Sequence, residues 1–315
     1  MKKIVLILFF ISSIFAQDFY LSIGGYENII FKNKKFLISN FLNKNLSNFN
    51  SYSLWITKDW NENWYSIEKI NSSIKQGLTP IFIFYWFEDE ICNDFVKKNR
   101  KKYFLHLKKF SNFLKKIKGK KIVILNPEFN QNDIYKSKKF NTILIKSIKI
   151  LKEDNKNTLI GFCLGDFGDY DLIEDELNWK MYEKSYIKAI KYIDFIAFQE
   201  MRALTRNKKY QILNTPYRAF AFAKFLYKRY KKPTFLAYLA ISSYKDNNLQ
   251  NKVLETFNEL LPCIKKEANL IGINYFHLID QPSQKGYFKK AEKFFGVIDK
   301  YGNPKKSFKT IQNLK

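Results

Sequence analysis

The strongest constraint on this chain is a strand-like run that keeps returning. Short β-branched and aromatic stretches stand at Phe19–Ile23, Tyr52–Ile56, Pro80–Trp86, Ile122–Leu125, Leu159–Leu164, Ile193–Phe198, Thr234–Leu239 and Ile271–Leu278. They are bounded by Gly, Pro, Asn or Asp, the residues that punctuate strands. Between them, apolar residues fall at helical spacing, as in Ile67, Ile70 and Ile74, or Phe104, Leu107, Phe110 and Leu114. That stripe is the mark of a helix packed on one face. Helices are predicted over Trp64–Gln76, Phe95–Ile117, Ile143–Leu151, Tyr182–Ile190, Tyr217–Tyr227 and Val253–Ile264. Thr215-Pro216 reads as the N-cap and first residue of one helix, Gly119 as a stop, and Asn303-Pro304 as the opening of the last. Eight strands alternating with helices predict an α/β fold, a single (β/α)8 barrel. The alternative is an open doubly wound sheet. That fold usually carries Gly-x-Gly-x-x-Gly after its first strand, whereas Gly24-Gly25 is followed by Tyr26-Glu27-Asn28.

The first sixteen residues read differently. Lys2 and Lys3 precede an apolar run from Ile4 to Phe15, and Ala16 precedes Gln17-Asp18. This is the pattern of a cleaved secretory signal peptide, and the run is short for a membrane span. The expectation is an exported, periplasmic or extracellular protein with no stable membrane insertion after cleavage, and one barrel domain over 17–315. The formal charge of +26 invites a nucleic-acid reading. Arginine, however, stands at only five positions, leaving 50 lysines scattered along the helices. Bidentate base contacts favour arginine, so no nucleic acid is expected. His106 and His277 are the only histidines, and the three cysteines show no pairing motif. Neither a metal site nor a cofactor is expected.

Within the eightfold rhythm one turn stands out. The run Ile122-Val-Ile-Leu-Asn126 stops at Pro127, and Glu128 follows at once. Proline cannot continue a buried ladder, so Glu128 falls at the C-terminal end of strand four, the side of a barrel where chemistry is done. The other strand ends supply Tyr26 and Glu27; Trp60; Trp86, Glu88 and Asp89; Asp166; Gln199, Glu200 and Arg202; Tyr238 and Tyr244; and His277 and Asp280. Glu88, Asp89 and Glu90 read as a helix opening, where negative charge suits the dipole. Carboxylates among aromatics suit sugar chemistry. One carboxyl protonates the leaving oxygen, and a second, ionised, attacks the anomeric carbon or activates water. Flat rings cover the apolar faces of sugars. The predicted catalytic residues are Glu128, Glu200 and Asp166. Predicted substrate contacts are Asn126, Trp86, Gln199, Arg202, Tyr238, Tyr244, His277 and Asp280, with Trp55 and Trp60 as further rings. The partner would be a polysaccharide or oligosaccharide, and the basic charge suits an anionic one.

Asn126-Pro-Glu-Phe-Asn130 resembles the Asn-(Pro)-Glu element of (β/α)8 glycoside hydrolases, where the Glu is the acid/base. The tail Phe295-Gly-Val-Ile-Asp-Lys-Tyr-Gly-Asn-Pro-Lys-Lys-Ser-Phe-Lys309 resembles the segment that follows strand eight there and starts the last helix. The resemblance implies glycosidic bond hydrolysis with Glu128 as proton donor. In the large retaining clan the nucleophile is a Glu ending strand seven. Here Phe235-Leu-Ala-Tyr-Leu-Ala-Ile-Ser-Ser-Tyr244 holds no acid. The second carboxylate is therefore sought elsewhere. Glu200 follows its strand as abruptly as Glu128 does, with Asp166 and then Asp280 as alternatives. An ion pair with Arg202 or Arg206 is the structural reading of Glu200, and a barrel that binds polysaccharide without cutting it is the second functional reading.

Overall fold

The computed structural model describes residues 19–26 and 37–314; the predicted leader at 1–16 and Glu27 lie outside them. Eight parallel strands close into a barrel in sequence order. They are β1 (Tyr20–Ile23), β2 (Ser51–Ile56), β3 (Thr79–Phe84), β4 (Lys121–Leu125), β5 (Thr158–Gly165), β6 (Phe195–Arg202), β7 (Thr234–Ile241) and β8 (Leu270–Tyr275), with β8 paired back to β1. The intervening helices are α1 (Ile38–Asn45), α2 (Ile67–Lys75), α3 (Asn93–Lys115), α4 (Phe140–Asp154), α5 (Glu176–Met181), α6 (Lys209–Leu213), α7 (Thr215–Tyr230) and α8 (Asn247–Ala268). After β8 a short parallel pair, β9 (His277–Ile279) and β10 (Gly296–Ile298), leads into α9 (Lys306–Gln312).

Alternation along each strand makes two cores. Ile81, Ile83, Ile122, Ile124, Cys163, Phe195, Ala197 and Phe235 fill the barrel, while Phe82, Phe84, Val123, Leu125, Phe162 and Phe198 pack outward under the helices. Burial on both faces is why the strands read as unbroken apolar runs. Phe195 and Phe235 close the lower barrel, ring centroids 5.5 Å apart. Two strand glycines make room for them: a Cβ on Gly161 would lie 2.5 Å from the Phe195 ring, and one on Gly272 2.4 Å from Phe235. The lower barrel is thus packed, and any cavity must open at the C-terminal ends of the strands.

All eight predicted runs are strands. The predicted helix over Tyr182–Ile190 is not a helix. It folds as 3₁₀ turns at Tyr182–Ser185 and Ile190–Tyr192. Asn141 on α4 takes its backbone groups instead, donating to Lys184 O at 2.6 Å and accepting from Lys188 N at 2.8 Å. A side-chain amide has outcompeted the helical ladder. The N-cap of α7 falls on Asn214, so Thr215 and Pro216 are its first two residues, positions where proline is tolerated.

Candidate active site

The Asn126–Asn130 turn is built to aim Glu128. Asn126 and Glu128 both have left-handed backbones, φ 46° and 57°, on either side of Pro127. Such a conformation costs a non-glycine residue about 1–3 kcal/mol and persists only where its surroundings over-determine it. Here they do. Asn126 Nδ2 donates to Tyr103 Oη at 3.1 Å. Phe129 stacks on Phe140, centroids 5.1 Å apart. Asn130 exchanges two hydrogen bonds with the end of β5, accepting from Gly165 N at 2.7 Å and donating to Gly165 O at 2.9 Å. The Glu128 carboxyl is left lining a cavity of about 790 Å³ at the barrel mouth.

Tyr238 is its immediate partner, donating its hydroxyl to Glu128 Oε1 at 2.5 Å. A β-bulge brings it there. β7 pairs Phe198 with Leu236 but Gln199 with Tyr238, so one extra residue enters the strand. Before the bulge Phe235 and Ala237 face inward; after it Tyr238 and Ala240 do. Bulges re-aim side chains in this way. Trp55, Tyr238 and Phe276 form an aromatic floor with centroids 5.5 to 5.6 Å apart. Burial pushes the Glu128 carboxyl up to about 7 against the Tyr238 hydrogen bond, and the charges of Asp89 and Glu292 add a smaller rise.

Gln199, Arg202 and His277 also line the cavity. Gln199 Oε1 and His277 Nδ1 are buried without hydrogen-bond partners among the described residues, and unsatisfied buried acceptors suit ligand hydroxyls. Burial pushes the His277 imidazole down to about 3, so it is neutral at neutral pH. Its ring lies flat on Phe276, 3.9 Å between centroids.

Other predicted site residues lie outside the cavity. β6 runs on to Arg202, four residues past the predicted end. Alternation then turns Gln199 and Met201 inward, and Glu200, paired in register with outward-facing Leu239, away from the cavity. Glu200 is fully buried beside Arg202, whose Nη2 lies 2.9 Å from Glu200 Oε2. Burial and the neighbouring Asp166 push its carboxyl well up, against the pull of Arg202 and Arg218. Asp166, also fully buried, accepts from Arg218 Nε at 2.5 Å and Nη2 at 2.8 Å, from Trp179 Nε1 at 2.8 Å and from Arg202 Nη2 at 3.2 Å. Arg202 joins this ionic cluster to the cavity, its guanidinium 4.1 Å above the ring of Tyr170, which also lines it.

Trp86 is core. Its Nε1 donates to His106 Nδ1 at 3.0 Å, and its ring packs edge-on against Phe87 and Tyr103. Trp60 is likewise buried against Phe110 and Phe113. Asn126 faces α3, not the cavity. Tyr244 leans on Phe294, centroids 5.4 Å apart. Asp280 is tied to Lys305 Nζ at 2.7 Å and Gly296 N at 2.9 Å, so this carboxylate and the Lys305 of the C-terminal motif clamp the segment after β10.

Two further carboxylates line the cavity, one read from the sequence as a helix opening and one missed. Asp89, read as a helix opening, sits at the rim in a 3₁₀ turn and accepts from the Tyr85 hydroxyl. Glu292 comes from a 3₁₀ segment, Lys289–Phe294, in the long connection between β9 and β10. That connection crosses the mouth as a strap and lends the cavity Gln284, Lys285, Gly286, Tyr287, Phe288 and Glu292. Glu292 Oε2 accepts from Phe288 N at 3.0 Å. Burial raises its carboxyl against that bond, with Asp89 adding to the rise. The sole hint in the sequence was Gly286, six residues before Glu292. Among the described residues no group of three or more His, Cys, Asp or Glu is arranged to hold a metal ion, and no helix is long and apolar enough to cross a membrane.

No family model and no curated protein matches the chain. Solved structures do match, and in fold. The beta-D-glucuronidase of Dictyoglomus thermophilum superposes with a TM-score of 0.63 at 13% identity, over 94% of this chain and 50% of that one. The shared fold is the closed (β/α)8 barrel. The endo-beta-1,4-mannanase of Thermotoga petrophila gives 0.63 at 12% identity, over 95% of this chain and 76% of its own. Cellulose synthase subunit Z of Clostridioides difficile gives 0.60 at 11% identity, over 93% and 99%. The chain spans about half the length of the glucuronidases it matches.

Proposed function

We propose that this protein is an exported glycoside hydrolase that cuts a polysaccharide, with Glu128 as its proton donor. The state of Glu128 carries the reading. A general acid must hold its proton near the working pH, and its efficiency is greatest when its pKa lies there. Glu128 sits at the end of β4 in the barrel mouth, with its carboxyl pushed up to about 7 by burial. One oxygen is steadied by Tyr238. Protonating the glycosidic oxygen lets the sugar–oxygen bond break while positive charge develops at the anomeric carbon. The floor of Trp55, Tyr238 and Phe276 offers ring faces to a sugar. Gln199 and His277 offer acceptors to its hydroxyls. The barrel-mouth cavity falls within the size range of ligand sites. Solved neighbours named as a mannanase and glucuronidases fit a carbohydrate substrate, and Lys285 at the mouth, with the overall charge of +26, favours an anionic polymer. Export rests on the leader pattern at 1–16.

Incubation of the wild type and Glu128→Gln with mannan, cellulose and a polyuronate, followed by assay of new reducing ends, tests the reading. The variant is expected to lose about 10²–10⁴-fold in turnover while melting as a folded protein. Equal turnover by the two proteins would remove Glu128 from the mechanism. The second reading, a barrel that binds glycan without cutting it, is favoured by the acid-free end of β7, Ser242-Ser243-Tyr244. Binding on a glycan array with no reducing ends released would establish that reading instead.

A further inference from the structure

We propose that Glu292 is the second catalytic carboxylate of this cavity, delivered by the strap after β8 in place of an acid at the end of β7. The proposal rests on the glycosidase reading above and adds the residue that reading lacks.

The end of β7 does have an assignable task, which is to hold the strap. Ser242 Oγ donates to Ala291 O at 2.8 Å, immediately before Glu292. Ser243 donates to Phe294 O through both Oγ, at 3.1 Å, and its backbone N, at 3.0 Å. From the end of β6, Thr205 Oγ1 donates to Phe288 O at 2.8 Å and Arg206 Nε to Tyr287 O at 2.9 Å. The residues around Glu292 are thus pinned to the strand ends where a catalytic acid would otherwise stand.

The seat of Glu292 is specific. A Cβ on Gly286 would lie 2.8 Å from the Glu292 carboxyl carbon, so the glycine leaves the space the carboxyl fills. One oxygen is fixed by Phe288 N–H at 3.0 Å, and the residue is 6% exposed yet lines the cavity with Glu128. A buried carboxylate with one anchored oxygen is oriented for attack or proton abstraction with the other. The two carboxyls are electrostatically linked. Burial raises both, Glu128 to about 7, and the negative charge of Glu292 adds to the rise at Glu128. Asp89 is the rival, but it is exposed at the rim and already engaged by the Tyr85 hydroxyl.

In the reaction, ionised Glu292 supplies an electron pair. It goes either to the anomeric carbon, forming a glycosyl ester as the glycosidic C–O bond breaks, which water deprotonated by Glu128 then cleaves, or to a proton of the water whose oxygen bonds the anomeric carbon as the glycosidic C–O bond breaks. In both cases the leaving oxygen takes the proton of Glu128, so charge and atoms balance.

The test uses dinitrophenyl glycosides of mannose, glucose and glucuronic acid, whose leaving group needs no proton. Glu292→Gln keeps an acceptor for Phe288 N–H and removes only the charge. It is expected to lower kcat by about 10³-fold or more on these substrates, while Glu128→Gln loses far less on them than on polysaccharide. Azide added to Glu292→Ala is expected to restore turnover and yield a glycosyl azide, which a merely structural carboxylate would not allow. If Glu292→Gln keeps its activity, or Asp89→Asn is the crippled variant and azide restores nothing to Glu292→Ala, the assignment is overturned while the glycosidase reading stands. Failure of the wild type to cleave any of these glycosides or any polysaccharide would overturn both.

Discussion

Replacing Tyr238 with Phe should move the alkaline limb of the pH profile upward. The hydroxyl donates to Glu128 Oε1 at 2.5 Å, and the ring is held independently by Trp55 and Phe276, each 5.5 Å away. The substitution therefore removes one hydrogen bond and little else. A donor to a carboxylate favours the charged form, so its loss lets the pKa of Glu128 climb above about 7. A hydrogen bond to a charged group is worth about 1.5–3 kcal/mol. At about 1.4 kcal/mol per pKa unit, that is a rise of about one to two units. A proton donor is active when protonated, so activity falls as pH rises through this pKa. The falling limb of kcat/KM, which reports the free enzyme, should move from near 7 to about 8–9. The measurement needs a substrate with a poor leaving group, so that protonation is limiting, and a melting curve to show that Tyr238→Phe is folded. A limb that stays put or moves down would refute the coupling. A shift of the rising limb instead would mean that Glu128 works ionised, and the donor role would fall.

Two further substitutions probe the same map. The folded pKa of Glu128, about 7, lies above its ordinary value of 4.5. Ionising it costs more in the folded than in the unfolded chain, so the wild type loses stability as pH rises from 4.5 through 7. Glu128→Gln carries no such penalty, so its stability relative to the wild type should rise by about 3 kcal/mol across that window; a gap in melting temperature that ignores pH would refute this. Glu200→Gln should keep kcat within about tenfold of wild type, because Glu200 faces away from the cavity and acts only through Arg202; a loss matching that of Glu128→Gln would restore Glu200 as a catalytic candidate.

The barrel was legible because its strands are buried on both faces and so read as continuous apolar runs. Glu128 was legible because Pro127 ends β4 where the apolar run ends. Glu200 misled for the complementary reason. Phe198 is the last apolar residue of an unbroken run, but β6 continues through Gln199-Glu-Met-Arg202, and polar residues at a strand end look like loop. Once the strand is extended, the period of two sends Glu200 outward and Gln199 inward. Tyr238 entered the cavity through an extra residue in β7. A bulge shifts phase without leaving a composition signal, so the sequence offered Tyr238 without the geometry that joins it to Glu128. Trp86 misled because a tryptophan after β3 fits a platform or a core equally well, and the choice was made by His106 and Tyr103 from α3.

Glu292 was out of reach for a different reason. A glycosidase needs two carboxyls that meet across a sugar, and nothing in that requirement fixes where along the chain the second one lies. A strand end is a convenient source because the barrel positions it rigidly. A strap can serve only if it is held as firmly, since misplacement by about 1 Å can cost a hundredfold in rate. That demand predicts what the structure contains: Ser242, Ser243, Thr205 and Arg206 each bond to strap carbonyls, and Asp280 at the strap's start accepts from Gly296 N, just past its far end. In the proposed arrangement the serines at the end of β7 are the other half, holding the strap that carries Glu292. An acid-free strand seven is what this chain should have if its second carboxylate arrives from above, and the missing residue that first argued against catalysis becomes a reason to look for it on the strap.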